Sequence, residues 1–261
     1  MTFTRAVVRP PAQNFAAGLS SATLGSPDLG RALEQHAEYA RALRDCGLQV
    51  TCLEADREYP DGTFVEDTAI LAARGAILTR PGAPSRAGEV RSIAACLRGF
   101  YADLLAIEAP GTVDGGDICE ADGHFLIGIS ARTNANGADQ LAEHLRRLEY
   151  TSSMIDIRTN PGLLHLKSGI AYLGDGMWAV QSGLEAMLRS QSGIDVRDLI
   201  VVSPREAYAA NCVRVNDAVL VAGGYSQMSA ALEQRGCRVV QLEMSEFKKM
   251  DGGLSCLSLR F

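Results

Sequence analysis

The run Cys212-Val213-Arg214-Val215-Asn216-Asp217-Ala218-Val219-Leu220-Val221 decides how this chain folds. Two short stretches rich in β-branched residues flank an Asn-Asp pair, which reads as a tight hairpin. A helical stretch follows at Ser229-Ala230-Ala231-Leu232-Glu233-Gln234, and then a strand at Arg238-Val239-Val240-Gln241-Leu242. The unit is hairpin, helix, strand. Hairpin signals of the same kind recur upstream. Residues 68–72 and 76–79 flank Ala73-Arg74-Gly75, residues 118–120 and 124–128 flank Ala121-Asp122-Gly123, and residues 169–173 and 177–180 flank Gly174-Asp175-Gly176. Helical stretches such as 137–145 follow them.

The period is roughly 45 to 50 residues, a spacing at which repeat architectures are expected, and four units run from about residue 61 to about residue 250. A fifth unit is split between the chain ends. Cys256-Leu257-Ser258-Leu259-Arg260-Phe261 can pair with Phe3-Thr4-Arg5-Ala6-Val7-Val8, and residues 29–45 supply the helix. Pairing the two terminal strands would close a ring of five α/β units with few exposed edges, folded as a single domain over 1–261. The plainer alternative is an open mixed α/β sheet.

The repeat carries a functional inference. Polar residues stand just before the first hairpin strand of each unit: Glu66-Asp67, Asp114 with Asp117, His165 with Lys167-Ser168, Asn211-Cys212, and Cys256. Equivalent positions in a closed ring converge on its axis. Charges at strand starts are costly to bury unless paired. Convergence would put carboxylates, an imidazole and a thiol in one pocket, which are the parts needed for covalent attack on a cationic carbon.

Composition narrows the classes. Apolar residues make up 47% and charged residues 21% of 261, an ordinary globular balance. A net charge of −6 argues against nucleic acid, whose binders carry a basic face. No apolar run reaches the length of a membrane span. Residues 1–10 lack a signal-peptide h-region and read as a strand. Seven cysteines at irregular spacing, with no CxxC pair, fit a reducing compartment rather than a disulfide frame or structural zinc. The expected location is the cytoplasm, and the oligomeric state is open, a homodimer included.

Taken alone, each candidate has a bland alternative. A free thiol is most often a core residue, and Cys212 rivals Cys256, although only Cys256 follows a Gly-Gly turn. A His between leucines, as His165 is, is more often a hydrogen-bonded core residue. Asp61, Glu66 and Asp67 could form a solvated loop or a helix cap, but Phe64-Val65 and the apolar run after Thr68 speak against that. Clustered carboxylates call for a cation. The chain has no HExxH, Cys/His cluster or calcium loop, so neither metal nor cofactor is expected, and a planar guanidinium suits paired carboxylates better. Arg86 and Arg132 follow turn-forming stretches and could clamp a carboxylate; most arginines are instead solvated. The stretch 10–28 is long for a connector and reads as a lid. Neither GxGxxG nor GxxxxGK[ST] is present.

Seven stretches, quoted in chain order, resemble the dimethylarginine dimethylaminohydrolase family of the guanidine-modifying (pentein) superfamily. They are Pro60-Asp61-Gly62-Thr63-Phe64-Val65-Glu66-Asp67, Thr79-Arg80-Pro81-Gly82-Ala83-Pro84-Ser85-Arg86, Asp114-Gly115-Gly116-Asp117, Ser130-Ala131-Arg132-Thr133-Asn134, Leu164-His165-Leu166-Lys167-Ser168, Ala209-Ala210-Asn211-Cys212 and Asp251-Gly252-Gly253-Leu254-Ser255-Cys256. The resemblance implies a five-fold pseudosymmetric α/β-propeller. It implies Cys256 as nucleophile and His165 as general acid and base, oriented by Asp114. Asp114 and Asp67 would bind the guanidinium, with Glu66 and Asp61 at its methylated end. Arg86 and Arg132 would hold the α-carboxylate, and the backbone carbonyls of Leu19 and Met250 the α-amino group. The implied partner is a small-molecule methylated arginine, hydrolysed to citrulline. Some bacterial members carry Glu where this chain has Asp114. Arginine deiminases and amidinotransferases of the superfamily are longer chains. A non-catalytic ring that binds a ribosomal subunit would lack the Cys and His.

Overall fold

The computed structural model describes residues 2–160 and 162–261. Met1, the first residue of the expected N-terminal strand, lies outside the described residues, as does Pro161. By its contacts the chain divides into two compact units. One takes the residues up to Val65 together with Cys212–Phe261, and the other takes Glu66–Asn211.

Each described sheet has three strands, and five such sheets form. In the Glu66–Asn211 unit, Ala69–Ala72 pairs antiparallel with Gly75–Leu78, helix Val90–Leu97 follows, and Leu104–Ala106 returns parallel to Gly75–Leu78. The same plan repeats twice. Ile118–Ala121, His124–Ile129 and Thr151–Asp156 enclose helix Ala135–Arg147, and Ile170–Gly174, Met177–Gln181 and Asp198–Val202 enclose helix Glu185–Arg189. In the other unit, Val213–Val215, Ala218–Ala222 and Arg238–Leu242 follow it with helix Ser226–Glu233.

The fifth sheet has the same topology cut at its hairpin. Arg5–Val8 is the central strand, antiparallel to Ser258–Arg260 with Val7 opposite Leu259, and parallel to Gln49–Cys52 beyond helix Leu29–Asp45. The pairing of the terminal strands is as expected from the sequence.

Local chemistry explains the elements. Asp122 and Gly123 have φ of 50° and 85°, both left-handed, which suits a two-residue hairpin loop between Ala121 and His124. Helix Leu29–Asp45 starts where Asp28 accepts the Arg31 N–H, and it buries Ala32, His36, Tyr39 and Leu43 at three- and four-residue steps. Strand Ala218–Ala222 is buried throughout, as a central strand covered on both faces should be.

The polar residues do stand just before the first hairpin strands, as expected, but on or beside short helices that the sequence did not announce. A short helix precedes each first hairpin strand, one turn at Val65–Thr68, Gly115–Asp117, Leu166–Gly169 and Ser255–Leu257 and about two turns at Pro204–Ala210. The polar side chains stand on or beside these turns, and within the Glu66–Asn211 unit they bond backbone one repeat away. Asp67 accepts from Gly116 N–H (2.8 Å), Asp117 accepts from Leu166 N–H (3.1 Å), and Asn211 donates to Lys167 C=O (3.0 Å). The first two links each span 49 residues, the period read from the sequence.

Candidate active site

In the Glu66–Asn211 unit three turns deliver Asp67, Asp114 and His165, whose potential ligand atoms lie within 4.8 Å of one another. His165 Nε2 is hydrogen-bonded to Asp114 Oδ2 at 3.1 Å, so aspartate is long enough at this position to reach the ring. The second oxygen of Asp114 accepts from Gly82 N–H at 2.8 Å, and its own N–H donates to Thr133 Oγ1 at 3.1 Å. Asp67 accepts from Gly116 N–H through Oδ1 and from Arg86 Nη1 through Oδ2, the latter at 2.5 Å. Asp114 is fully buried, and Asp67 and His165 nearly so.

Two glycines make this approach feasible. A Cβ on Gly116 would fall 2.7 Å from His165 Nδ1 and 3.0 Å from Asp67 Oδ1. One on Gly115 would fall 2.0 Å from the Glu66 carbonyl oxygen. The Gly-Gly pair is therefore a steric requirement of the cluster.

The charges respond to one another. Burial disfavours a protonated His165, but the carboxylates of Asp67, Asp114 and Asp117 outweigh it and raise the ring to about 9. Burial also opposes the charge on Asp67, yet His165 and Arg86 bring it down to about 2. Asp117, buried and bonded to Ser130 Oγ and Leu166 N–H, is pushed up to about 6 by burial.

Arg86 is no solvated surface arginine. Its Nε and Nη2 meet Glu89 at 3.0 and 2.8 Å while Nη1 meets Asp67. The more open of the two expected clamps is Arg132, with a fifth of its side chain exposed and Nη1 3.8 Å from Asp114 Oδ2. Glu66 is buried and takes Lys167 Nζ at 2.6 Å. Asp67, Asp114 and His165 are also a donor set that a cation would use. Here Arg86 is shared between Asp67 and Glu89, and His165 pairs with Asp114, so three carboxylates face one guanidinium and one imidazole.

In the unit formed by the chain ends, Cys256 lies on the turn Ser255–Leu257, two residues before the strand whose start it was expected to mark. It is partly exposed, and the Gly253 N–H points at Sγ from 3.4 Å. Cys212, its rival, is buried, and so is Cys119, whose thiol burial pushes up to about 11. None of the seven cysteines is in a disulfide.

Leu19, Asp61 and Met250 gather around Gly18. Asp61 accepts from Leu19 N–H at 3.0 and 3.2 Å, and a Cβ on Gly18 would fall 2.5 Å from Asp61 Oδ1 and 3.2 Å from the Met250 methyl. The expected lid is strapped down here. Ser21 N–H and Oγ donate to Asp251 Oδ2, and Ser20 Oγ donates to Lys249 C=O. Buried Arg9 ties down the 56–63 segment through Asp56 and the Gly62 carbonyl, and Thr63 Oγ1 donates back to Arg9 C=O.

Sequence reasoning missed Glu89, Arg9 and the pairing of Lys167 with Glu66. Glu89 had a faint signal, an acid three residues after Arg86 near a helix start. The other pairings are long-range and leave no local trace.

No family model matches the chain. It is 42% identical over 262 residues to the N(G),N(G)-dimethylarginine dimethylaminohydrolase of Pseudomonas aeruginosa, covering 99% of this chain and 100% of the relative. It is 29% identical to the Streptomyces coelicolor protein of the same name, covering 100% and 98%. Among solved structures, the P. aeruginosa enzyme, as a cysteine-to-serine mutant complexed with citrulline, superposes with a TM-score of 0.94 at 40% identity over 100% of both chains. The N-terminal domain of the cyanobacterial arginine dihydrolase ArgZ shares the fold, with a TM-score of 0.86 at 18% identity over 100% of this chain and 97% of that one. Five like sheets agree with these matches and with the expected five-unit α/β-propeller class. This chain belongs to the dimethylarginine dimethylaminohydrolase family.

Proposed function

We propose that this protein hydrolyses asymmetric dimethylarginine and monomethylarginine to L-citrulline with release of dimethylamine or methylamine. The buried Asp67–Asp114–His165 cluster, in a chain of this family, carries the reading. Asp67 and Asp114 bind the substrate guanidinium. Its positive charge favours the Cys256 thiolate, whose sulfur bonds to the guanidinium carbon. The bond from that carbon to the methylated nitrogen breaks, and His165 gives its proton to the departing amine.

A ring that holds its proton up to about 9 enters neutral solution charged, which is the form a general acid needs. Once neutral, His165 takes a proton from water. The oxygen bonds to the thiouronium carbon, the carbon–sulfur bond breaks, and the thiolate returns. Asp61 and Glu66 line the methylated end, Arg132 holds the α-carboxylate while Arg86, engaged by Glu89 and Asp67, stands behind Asp67 rather than clamping the substrate, and the carbonyls of Leu19 and Met250 receive the α-amino group. The whole requires neither metal nor cofactor, and the cytoplasm suits a thiol enzyme. Among the described residues no helix is long and apolar enough to cross a membrane.

Parallel assays following citrulline test the reading. A pocket that fits the methyl groups favours the methylated substrates over arginine by roughly 10- to 200-fold. Symmetric dimethylarginine is hardly turned over, since its second methyl leaves a carboxylate unpaired. Equal kcat/KM for arginine would assign the protein to the deiminases instead.

A further inference from the structure

Glu89 is about as buried as any acid in the chain, at 1% exposure. Its Oε1 and Oε2 accept from Arg86 Nε at 3.0 and 3.2 Å, and Oε2 also accepts from Nη2 at 2.8 Å. The turn Pro84–Arg86 sets this up, because the Glu89 N–H bonds the Arg86 carbonyl at 3.0 Å. With two guanidinium nitrogens on Glu89, the third is aimed at Asp67 Oδ2. The other oxygen of Asp67 is held by Gly116 N–H, so the carboxylate is fixed beside His165.

Charge therefore alternates along one buried line: Glu89, Arg86, Asp67, His165, Asp114. The charged groups around the ring come from several elements. Asp67 stands on the turn Val65–Thr68, Asp114 and Asp117 flank Gly115-Gly116, and Arg86 lies behind Asp67. Arg132 reaches Asp114 from the loop after strand His124–Ile129, and Lys167 on His165's own turn is committed to Glu66.

We propose that Glu89 is a positioning residue for the acid–base site: it offsets the charge of Arg86 and fixes its fork, so that Asp67 keeps its field on His165. The electrostatic part stands on this geometry alone; its effect on turnover rests on His165 being the proton donor of the proposed function. Without the Glu89 carboxylate, Arg86 turns an uncompensated positive charge toward Asp67 and the ring. Removing Glu89 and Arg86 together takes away a neutral pair and leaves Asp67 acting on the ring undiminished. Buried ion pairs often tolerate replacement of both partners by apolar residues of similar size.

The test is the ring titration of His165 by NMR in the full chain without substrate, assigned by its loss in His165→Gln. In Glu89→Gln the midpoint falls by about one unit. In Glu89→Leu/Arg86→Met it stays at the wild-type value or rises. An unmoved midpoint in folded Glu89→Gln overturns the proposal, and so does a downward shift in the double variant. Where Glu89→Gln does not fold, the double variant alone decides. With citrulline production followed in the same variants, the basic limb of kcat/KM shifts down with the ring in Glu89→Gln. A shifted ring with an unshifted rate profile upholds Glu89 and overturns His165 as the proton donor.

Discussion

Partial exposure on a one-turn helix beside a Gly-Gly pair sets Cys256 apart from Cys119 and Cys212, which are packed into the interior. Cys256→Ser is expected to abolish citrulline production with the fold intact, because a serine hydroxyl is far harder to ionise than a thiol. Cys212→Ser, the matched control, should remain active; near wild-type turnover by Cys256→Ser would remove the nucleophile assignment.

His165 makes a second prediction at this scale. Its folded pKa of about 9 lies above the ordinary 6.5, so its contribution to stability is full below 6.5 and lost as pH rises through 9. Asp67 works in the opposite sense: present above 3.8, its contribution is lost as pH falls through about 2. Urea midpoints of the ligand-free protein should therefore decline on going from pH 6.5 to 9, and His165→Gln should flatten that decline. An equally steep decline in the variant would mean that other groups set it. Single residues were only partly legible in the sequence. The repeat phase singled out Asp67, Asp114 and His165, but the burial of Arg86 between two carboxylates depends on Glu89, whose spacing alone does not distinguish it from a solvated acid.

The one-turn helices explain much at the scale of elements. Asp117 joins two of them, accepting from Leu166 N–H, just after His165, and from Ser130 Oγ in the loop that carries Arg132. Asp117→Ala leaves both buried donors unpaired and should cost about 1–3 kcal/mol. Because it loosens the start of the His165 turn, kcat should fall as well, which denaturant titration and steady-state kinetics together can check. Unchanged stability would mean that water replaces the carboxylate without loss. Helix Leu29–Asp45 and strand Arg238–Leu242 were readable with the same bounds, since both carry clear apolar patterns. The short helices were not readable, because three to seven residues are too few to show a periodicity, and their polar side chains bond partners 44 or 49 positions away.

For the whole molecule, the split fifth sheet has a consequence for connectivity. Arg5 N–H and Thr4 N–H both bond the Phe261 carbonyl, at 2.8 and 2.9 Å, so the two ends of the chain occupy the place of a hairpin loop. Topologically, the break is one of several equivalent cuts. A circular permutant with a short glycine-serine linker joining the old ends, reopened between Asp122 and Gly123, should fold to the same sheets and keep citrulline production. Its terminal strands would then belong to a different repeat, and the order in which the sheets leave the ribosome would change while the folded product did not.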